Sequence, residues 1–238
     1  MPAALPLAPG LWRVPTVPWD LINSFVIRAE DGSVTLVDTG IRTAPSRIVA
    51  ALAEIGSGAS DVTTIVLTHA HPDHAGGAAD LSRRTGRGIT VHTDDAQYVR
   101  TGTSPPRDTS FRLGRLITRT PGVEPAPVAR TMSDGELLDG SALRVHHTPG
   151  HTPGHCSLLH EPSGTLITGD AIWNMRSRRT WPVHTFCTNA AHTEQTAAVL
   201  GELDYSTAAF THGPEIRDTG REAIRTFLAH PRSFGPGI

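Results

Sequence analysis

The stretch Thr68-His69-Ala70-His71-Pro72-Asp73-His74-Ala75-Gly76-Gly77 decides the reading of this chain. Three imidazoles and one carboxylate fall between positions 69 and 74, directly after the run Val62-Thr63-Thr64-Ile65-Val66-Leu67. That run is mostly β-branched and too short for a helix, which predicts a buried strand. Pro72 disfavours helix at His71 and is itself suited to open one. A helix is then expected through Ala78-Ala79-Asp80-Leu81 to about Arg84. The cluster therefore sits where a strand's carboxyl end meets a helix amino end, a common place for sites in α/β folds. Crowding four titratable side chains is costly without a cation to offset it. Neutral imidazole nitrogen and carboxylate oxygen are also the donors that divalent metals take, so the stretch reads as a metal site.

Other strand ends repeat the pattern. Upstream, strand-like Leu11 to Val14 and Leu21 to Ile27 precede a turn at Asp31-Gly32. A third strand, Ser33 to Val37, runs into Asp38-Thr39-Gly40 and places Asp38 at its carboxyl end. A helix from about Ala44 to Ile55 carries Ile48, Val49, Leu52 and Ile55 on one face. Beyond the cluster, Ile89 to His92 reads as a strand and Asp94 to Arg100 as a helix capped by Thr93. Leu143 to His147 is a strand leading into Thr148-Pro149-Gly150-His151-Thr152-Pro153-Gly154-His155, a rigid loop that fixes its histidines between glycines and prolines. Paired strands Cys156 to His160 and Thr165 to Thr168 end at Gly169-Asp170. A helix over Thr193 to Leu203, a strand Ala208 to Phe210 ending in Thr211-His212-Gly213, and a helix from about Thr219 to Leu228 complete the chain. This alternation suggests two sheets sandwiched between helix layers.

The length of 238 residues supports a sizeable core, and no linker divides it, so one domain over 1–238 is expected. Its interruption is a Pro- and Arg-rich insertion at about 101–127, longer than a simple connection. Arg112 and Arg115 in it are not assigned to substrate. The net charge of −2 leaves no electrostatic footprint for nucleic acid. Cys156 and Cys187 make no disulfide framework, the amino terminus lacks a basic signal-peptide region, and no apolar run approaches a membrane span. A cytoplasmic protein without membrane partners is expected. Its expected partners are a small-molecule substrate and, at most, a second copy of the chain as a homodimer.

In order along the chain, Val37-Asp38-Thr39-Gly40, His69-Ala70-His71-Pro72-Asp73-His74, Gly150-His151-Thr152, Gly169-Asp170 and Thr211-His212-Gly213 resemble the motifs of the metallo-β-lactamase-fold superfamily. The resemblance runs from about Trp12 to His212 and implies an α/β, four-layer αββα sandwich. It also implies two metals: His69, His71 and His151 on the first, Asp73, His74 and His212 on the second, and Asp170 between them. Seven ligands exceed the four that one zinc takes, which agrees with a pair sharing a carboxylate. Asp38 resembles the family's carboxylate that orients a ligand without touching metal, and His155 is read as a histidine locked in the rigid loop behind the ligands. The implied reaction is hydrolysis by a hydroxide bridging two divalent ions, with Asp73 shuttling a proton. Zinc is the expected ion, although iron and manganese suit the same donors.

Departures narrow the branch. His71 stands where the redox diiron branch carries Glu, and Asp170 where true β-lactamases carry Cys or Ser. Both point to glyoxalase II-like and lactonase-like hydrolases of a small ester, lactone or thioester. The 26 residues after His212 (213–238) are fewer than glyoxalase II uses for its glutathione-binding region. The rival functions are an iron-dependent sulfur dioxygenase of the same superfamily, a β-lactamase and an RNA nuclease. Trp173, Arg178 and His184 are candidates for the substrate pocket. The remaining histidines, His92, His146, His147, His160, His192 and His230, are read singly as ordinary residues.

Overall fold

The computed structural model describes residues 3–110, 121–176 and 178–231; Arg112 and Arg115 lie outside them. Among the described residues, one sheet holds seven strands in sequence order: β1 (Leu5–Ala8), β2 (Leu11–Val17), β3 (Ile22–Arg28), β4 (Val34–Val37), β5 (Val62–Val66), β6 (Ile89–His92) and β7 (Val128–Met132). Its first half is antiparallel and β4 to β7 are parallel. The second sheet comprises β8 (Leu137–Leu138), β9 (Leu143–His147), β10 (Cys156–His160) and β11 (Thr165–Ile167), with β14 (Thr207–Ala209) parallel to β11 at its edge. A small hairpin, β12 (Trp173–Met175) with β13 (Arg178–Thr180), stands apart.

Strand periodicity sorts the side chains into layers. Phe25, Ile27, Val37 and Val66 face the second sheet and pack with Val145, Leu158, Ile167 and Ala209. The alternate residues Val26, Leu36 and Ile65 face outward, onto Ile48 and Leu52 of helix α1 (Pro45–Glu54). After the single turn of α2 (Pro72–Ala75), α3 (Ala78–Thr85) adds Leu81 to that layer and α4 (Ala96–Thr101) adds Val99. On the far face, Leu166 and Ala208 pack with Leu200, Ile224 and Phe227 beneath α5 (Ala190–Thr196) and α6 (Gly220–Ala229). The expected four-layer αββα sandwich is the observed one.

Several local expectations are corrected. The ring of His92, rather than Thr93, accepts Asp94 N, and α4 proper opens at Ala96 after a 3-10 turn. The helix expected over 193–203 begins at Ala190, because Asn189 caps it by accepting His192 N at 3.0 Å, and it tightens to a 3-10 turn after Thr196. β12 and β13 pair as a hairpin, with Met175 opposite Arg178.

The first hairpin is joined to the loop that carries His212, the last candidate ligand, through Arg13, which is only 4% exposed. Its guanidinium donates to Glu215 Oε2 (2.9 Å), Asp20 Oδ1 (2.6 Å) and Asn23 Oδ1 (3.1 Å). Asn23 Nδ2 in turn donates to the carbonyls of Phe210 (3.0 Å) and Gly213 (2.8 Å), bracketing His212. Burial pushes the Glu215 carboxyl up, but its hydrogen bonds and the Arg13 and Arg217 guanidiniums outweigh this and hold it below its ordinary 4.5. Arg13→Met strands these acceptors and is expected to lower stability by about 2–3 kcal/mol in urea unfolding, because one partner is partly solvated. A carboxyl held low when folded stabilises above pH 4.5 and loses that contribution as the pH falls. The stability gap between wild type and Glu215→Gln should therefore be full at neutral pH and shrink below 4.5.

Candidate metal centre

The segments that follow β4, β5, β9, β11 and β14 converge on one buried cluster. His69, His71 and His151 offer nitrogens within 4.8 Å of one another, and so do Asp73, His74, Asp170 and His212 with their nitrogens and oxygens. The five imidazoles and Asp170 are buried, whereas Asp73 is partly open.

Four of the five imidazoles are held by the nitrogen that faces away from the cluster, with the tautomers following from the fixed partners. His74 Nδ1 donates to Asp38 Oδ2 at 2.9 Å, and His212 Nδ1 to the Leu21 carbonyl at 2.5 Å. The Thr68 hydroxyl donates to Asp38 and so presents a lone pair to His69 Nδ1, 3.1 Å away. His151 Nδ1 faces Cys187 Sγ at 3.5 Å. These contacts turn Nε2 of His69, His74, His151 and His212 inward, and His71 turns Nδ1 inward, 2.9 Å from His151 Nε2. His69 Nε2 is buried with no hydrogen-bond partner. An orphaned buried nitrogen among imidazole nitrogens that face one another is costly in an apolar interior and natural around a cation. The residues fit a divalent metal.

Asp170 stands at the centre. Its Oδ2 lies 3.1 Å from His151 Nε2 and 4.0 Å from His69 Nε2, while Oδ1 lies 3.3 Å from the Nε2 atoms of both His74 and His212. Thr211 Oγ1 also donates to Oδ1 at 2.8 Å. Asp73 Oδ2 is 3.6 Å from His74 Nε2 and 3.4 Å from His212 Nε2.

Three groups behind the donors fix them. Asp38 sits at φ +60, which a short polar side chain tolerates, and accepts Thr68 N at 2.8 Å besides its bonds to His74 and the Thr68 hydroxyl. His155 is held at about 3 by burial and by neighbouring His151, so its neutral Nε2 accepts Asp170 N at 2.7 Å. Gly169 leaves room for that bond: a Cβ there would lie 2.5 Å from His155 Nε2. Sequence reading did not single out Asp95. Its buried carboxyl, raised by desolvation, accepts Ala70 N (2.9 Å), Thr152 Oγ1 (2.7 Å) and Gly154 N (2.7 Å), tying two donor loops together.

Charge within the cluster is uneven. Burial holds His69 and His71 well below their ordinary value. Burial acts the same way on His151 and His212, but the Asp170 carboxylate overcomes it and raises them to about 10 and about 9. The imidazoles around Asp170 likewise outweigh its burial and keep it ionised. Metal binding must displace protons from such nitrogens.

A cavity of about 630 Å³ opens over this cluster, with His71, Asp73, His151, Asp170 and His212 in its lining. Trp173 lines it and packs on His212, ring centroids 4.5 Å apart. Arg178 and His184 do not line it: Arg178 is exposed on β13, and His184 Nε2 pairs with Glu194 at 3.2 Å. The apolar walls are Leu21, Ile22, Ile41, Met175 and Phe186. Arg107 and 121–124, the described ends of the insertion, also reach the cavity.

A family model for the metallo-beta-lactamase superfamily matches residues 17–212. The chain belongs to that superfamily. Among its relatives, the probable metallo-hydrolase YybB of Bacillus subtilis (strain 168) is 30% identical over 86% of this chain and 83% of its own length. A hydroxyacylglutathione hydrolase of Anaeromyxobacter dehalogenans (strain 2CP-C) is 33% identical over 63% of this chain and 46% of its own length. A solved structure of a metallo-beta-lactamase family protein from Thermus thermophilus superposes with a TM-score of 0.69 at 27% identity, covering 94% of this chain and 80% of that one. Membership and the buried His/Asp clusters support a metal-dependent hydrolase.

Asp38→Asn keeps a residue that tolerates φ +60 but replaces the carboxylate that holds His74 and Thr68. A chelator-competition assay is expected to show metal affinity reduced by about 10–100-fold, with the fold retained by circular dichroism.

Proposed function

We propose that the protein is a dinuclear metal hydrolase that cleaves a small ester, lactone or thioester. The carrying observation is the position of Asp170, whose two oxygens point to different groups of imidazoles. One carboxylate so placed suits two ions side by side: His69, His71 and His151 would hold one, and Asp73, His74 and His212 the other. Nitrogen-rich donors of this kind suit zinc. When bound, such a pair supplies a hydroxide at neutral pH and Lewis acidity toward a carbonyl oxygen.

The chain's own residues arrange the rest. The apolar walls Leu21, Ile22, Ile41, Trp173, Met175 and Phe186 take the substrate's hydrocarbon body, exclude water from it and leave its carbonyl over the polar floor. Asp73 is the carboxylate open to the cavity, its side chain 35% exposed against 2% for Asp170. Its carboxylate can therefore take a proton from the attacking water and return it to the leaving alkoxide or thiolate. Asp170, fully engaged by imidazoles and Thr211, holds geometry instead. Relatives named as hydroxyacylglutathione hydrolases favour acyl substrates. A cytoplasmic location is the reading consistent with two buried free cysteines. Among the described residues, no helix is long and apolar enough to cross a membrane.

The test is acid release in a pH-indicator assay over lactones, aryl esters, glutathione thioesters and β-lactams, with and without chelator. Chelator-sensitive turnover of an ester, lactone or thioester is expected. Silence across the panel from metal-loaded protein would overturn the hydrolase, and selective β-lactam turnover would overturn the substrate class.

A further inference from the structure

Two arginines, Arg42 and Arg107, line the cavity over the donor cluster, and they are the only guanidiniums among its described lining residues. Arg42 follows Ile41 in the chain and is exposed. Arg107 stands beside Phe186, its Cζ 4.8 Å from the ring centroid. Phe186 is itself 41% exposed, whereas the donor imidazoles are buried. The cavity thus has a polar floor, apolar walls and a cationic mouth.

Backbone bonds fix Arg107 at a set offset from that floor. The strip 187–190 is bonded on one side to a donor loop: Thr188 N donates to the His151 carbonyl (2.9 Å) and Asn189 N to that of Gly150 (2.8 Å). On the other side it grips both neighbours of Arg107. Asp108 N donates to the Cys187 carbonyl (2.5 Å), Thr188 Oγ1 to the Pro106 carbonyl (2.8 Å), and Ala190 N to Asp108 Oδ2 (3.0 Å). Arg42 is held against the other donor segment. A Cβ on Gly76 would lie 2.7 Å from Arg42 N, so the two backbones touch just beyond His74.

The nearby carboxylates have other duties. Asp73 and Asp170 belong to the donor cluster. Glu124, also in the lining, accepts the Arg83 guanidinium at 2.6 and 3.3 Å. Asp108 does not line the cavity, and it accepts Ser110 N and Ala190 N. Burial pushes the Arg107 guanidinium down from its ordinary value, yet arginine keeps its charge at neutral pH. A partly desolvated guanidinium is best matched by a planar anion that takes two of its N–H groups at once.

We infer that the substrate carries a carboxylate at the end of its hydrocarbon body remote from the scissile acyl carbon, and that Arg107 receives it, with Arg42 adding to the attraction. The inference rests on the hydrolase reading for the identity of the bond cleaved. The acyl carbon then lies over the donors, the hydrocarbon runs along Trp173, Met175 and Phe186, and the anion meets the mouth. Half-esters and half-thioesters of dicarboxylic acids are selected over neutral esters of the same length.

The experiment is calorimetric titration of zinc-loaded wild type, Arg107→Met, Arg42→Met and Arg178→Met. The probes are butyrate, hexanoate and octanoate against succinate, adipate and suberate, which mimic released acids and are read without turnover. In wild type, one dicarboxylate is expected to bind about tenfold or more tightly than the monocarboxylate of equal length. Arg107→Met should remove most of that advantage and Arg42→Met part of it. Arg178 is exposed on β13 and off the cavity, so Arg178→Met should leave the advantage intact. In turnover, the monophenyl ester of the favoured diacid should exceed the phenyl ester of the matching monoacid, and Arg107→Met should lose that preference through KM. No dicarboxylate advantage in wild type, or one that survives both Arg107→Met and Arg42→Met, would overturn the inference. Equal turnover of the two esters would overturn it while keeping the hydrolase. Silence of both esters beside an arginine-dependent advantage would support the anion site and overturn the hydrolase alone.

Discussion

The structure depends on one constraint: five imidazoles and the Asp170 carboxylate are crowded into a buried cluster that only the cavity above it exposes. The fold meets it by tying four of the five histidines from behind. Asp38, the Leu21 carbonyl, the Thr68 hydroxyl and Cys187 occupy the outward nitrogens, so the inward ones converge. Such a cluster is unstable in isolation, since unpaired buried polar atoms cost more than ordinary hydrogen bonds return. A divalent cation would relieve that cost, and much of the surrounding loop structure serves to hold donors rather than to fill the core.

The two sheets share the task. Asp38, His69, His71, Asp73 and His74 follow strands of the first sheet, while His151, Asp170 and His212 follow strands of the second. Asp95 bonds both sets of loops, and the Arg13–Asn23–Glu215 network fixes His212 against the first hairpin. The inter-sheet packing of Phe25, Val66, Leu158 and Ile167 sets the distance between the two donor sets. Metal-type ligation and core packing are therefore mechanically one system.

What could be read in advance follows physical locality. The β-branched run before His69 announced β5, and the dense donor spacing announced the cluster, because both signals lie within a few residues. The four layers followed from strand and helix periodicity. Long-range matters were hidden. β1 carries Pro6, which breaks the apolar pattern but is tolerated in an edge strand. β7 is largely polar and exposed, so no hydrophobic pattern marked it. Of the three candidates for the cavity, only Trp173 reaches it: the β12–β13 hairpin directs Trp173 inward and leaves Arg178 exposed, and His184 pairs with Glu194. The walls contributed by Leu21, Ile41 and Arg107 come from loops whose placement only the tertiary fold determines. His92 and His147, unremarkable singly, meet only because β6 and β9 finish side by side.

The most direct measurement is the metal content and turnover of Asp170→Ala beside wild type, both loaded with zinc and desalted. If Asp170 joins two ions, its loss should lower bound metal and hydrolysis together, with the fold kept by circular dichroism. Full metal loading with an unchanged rate would contradict the account.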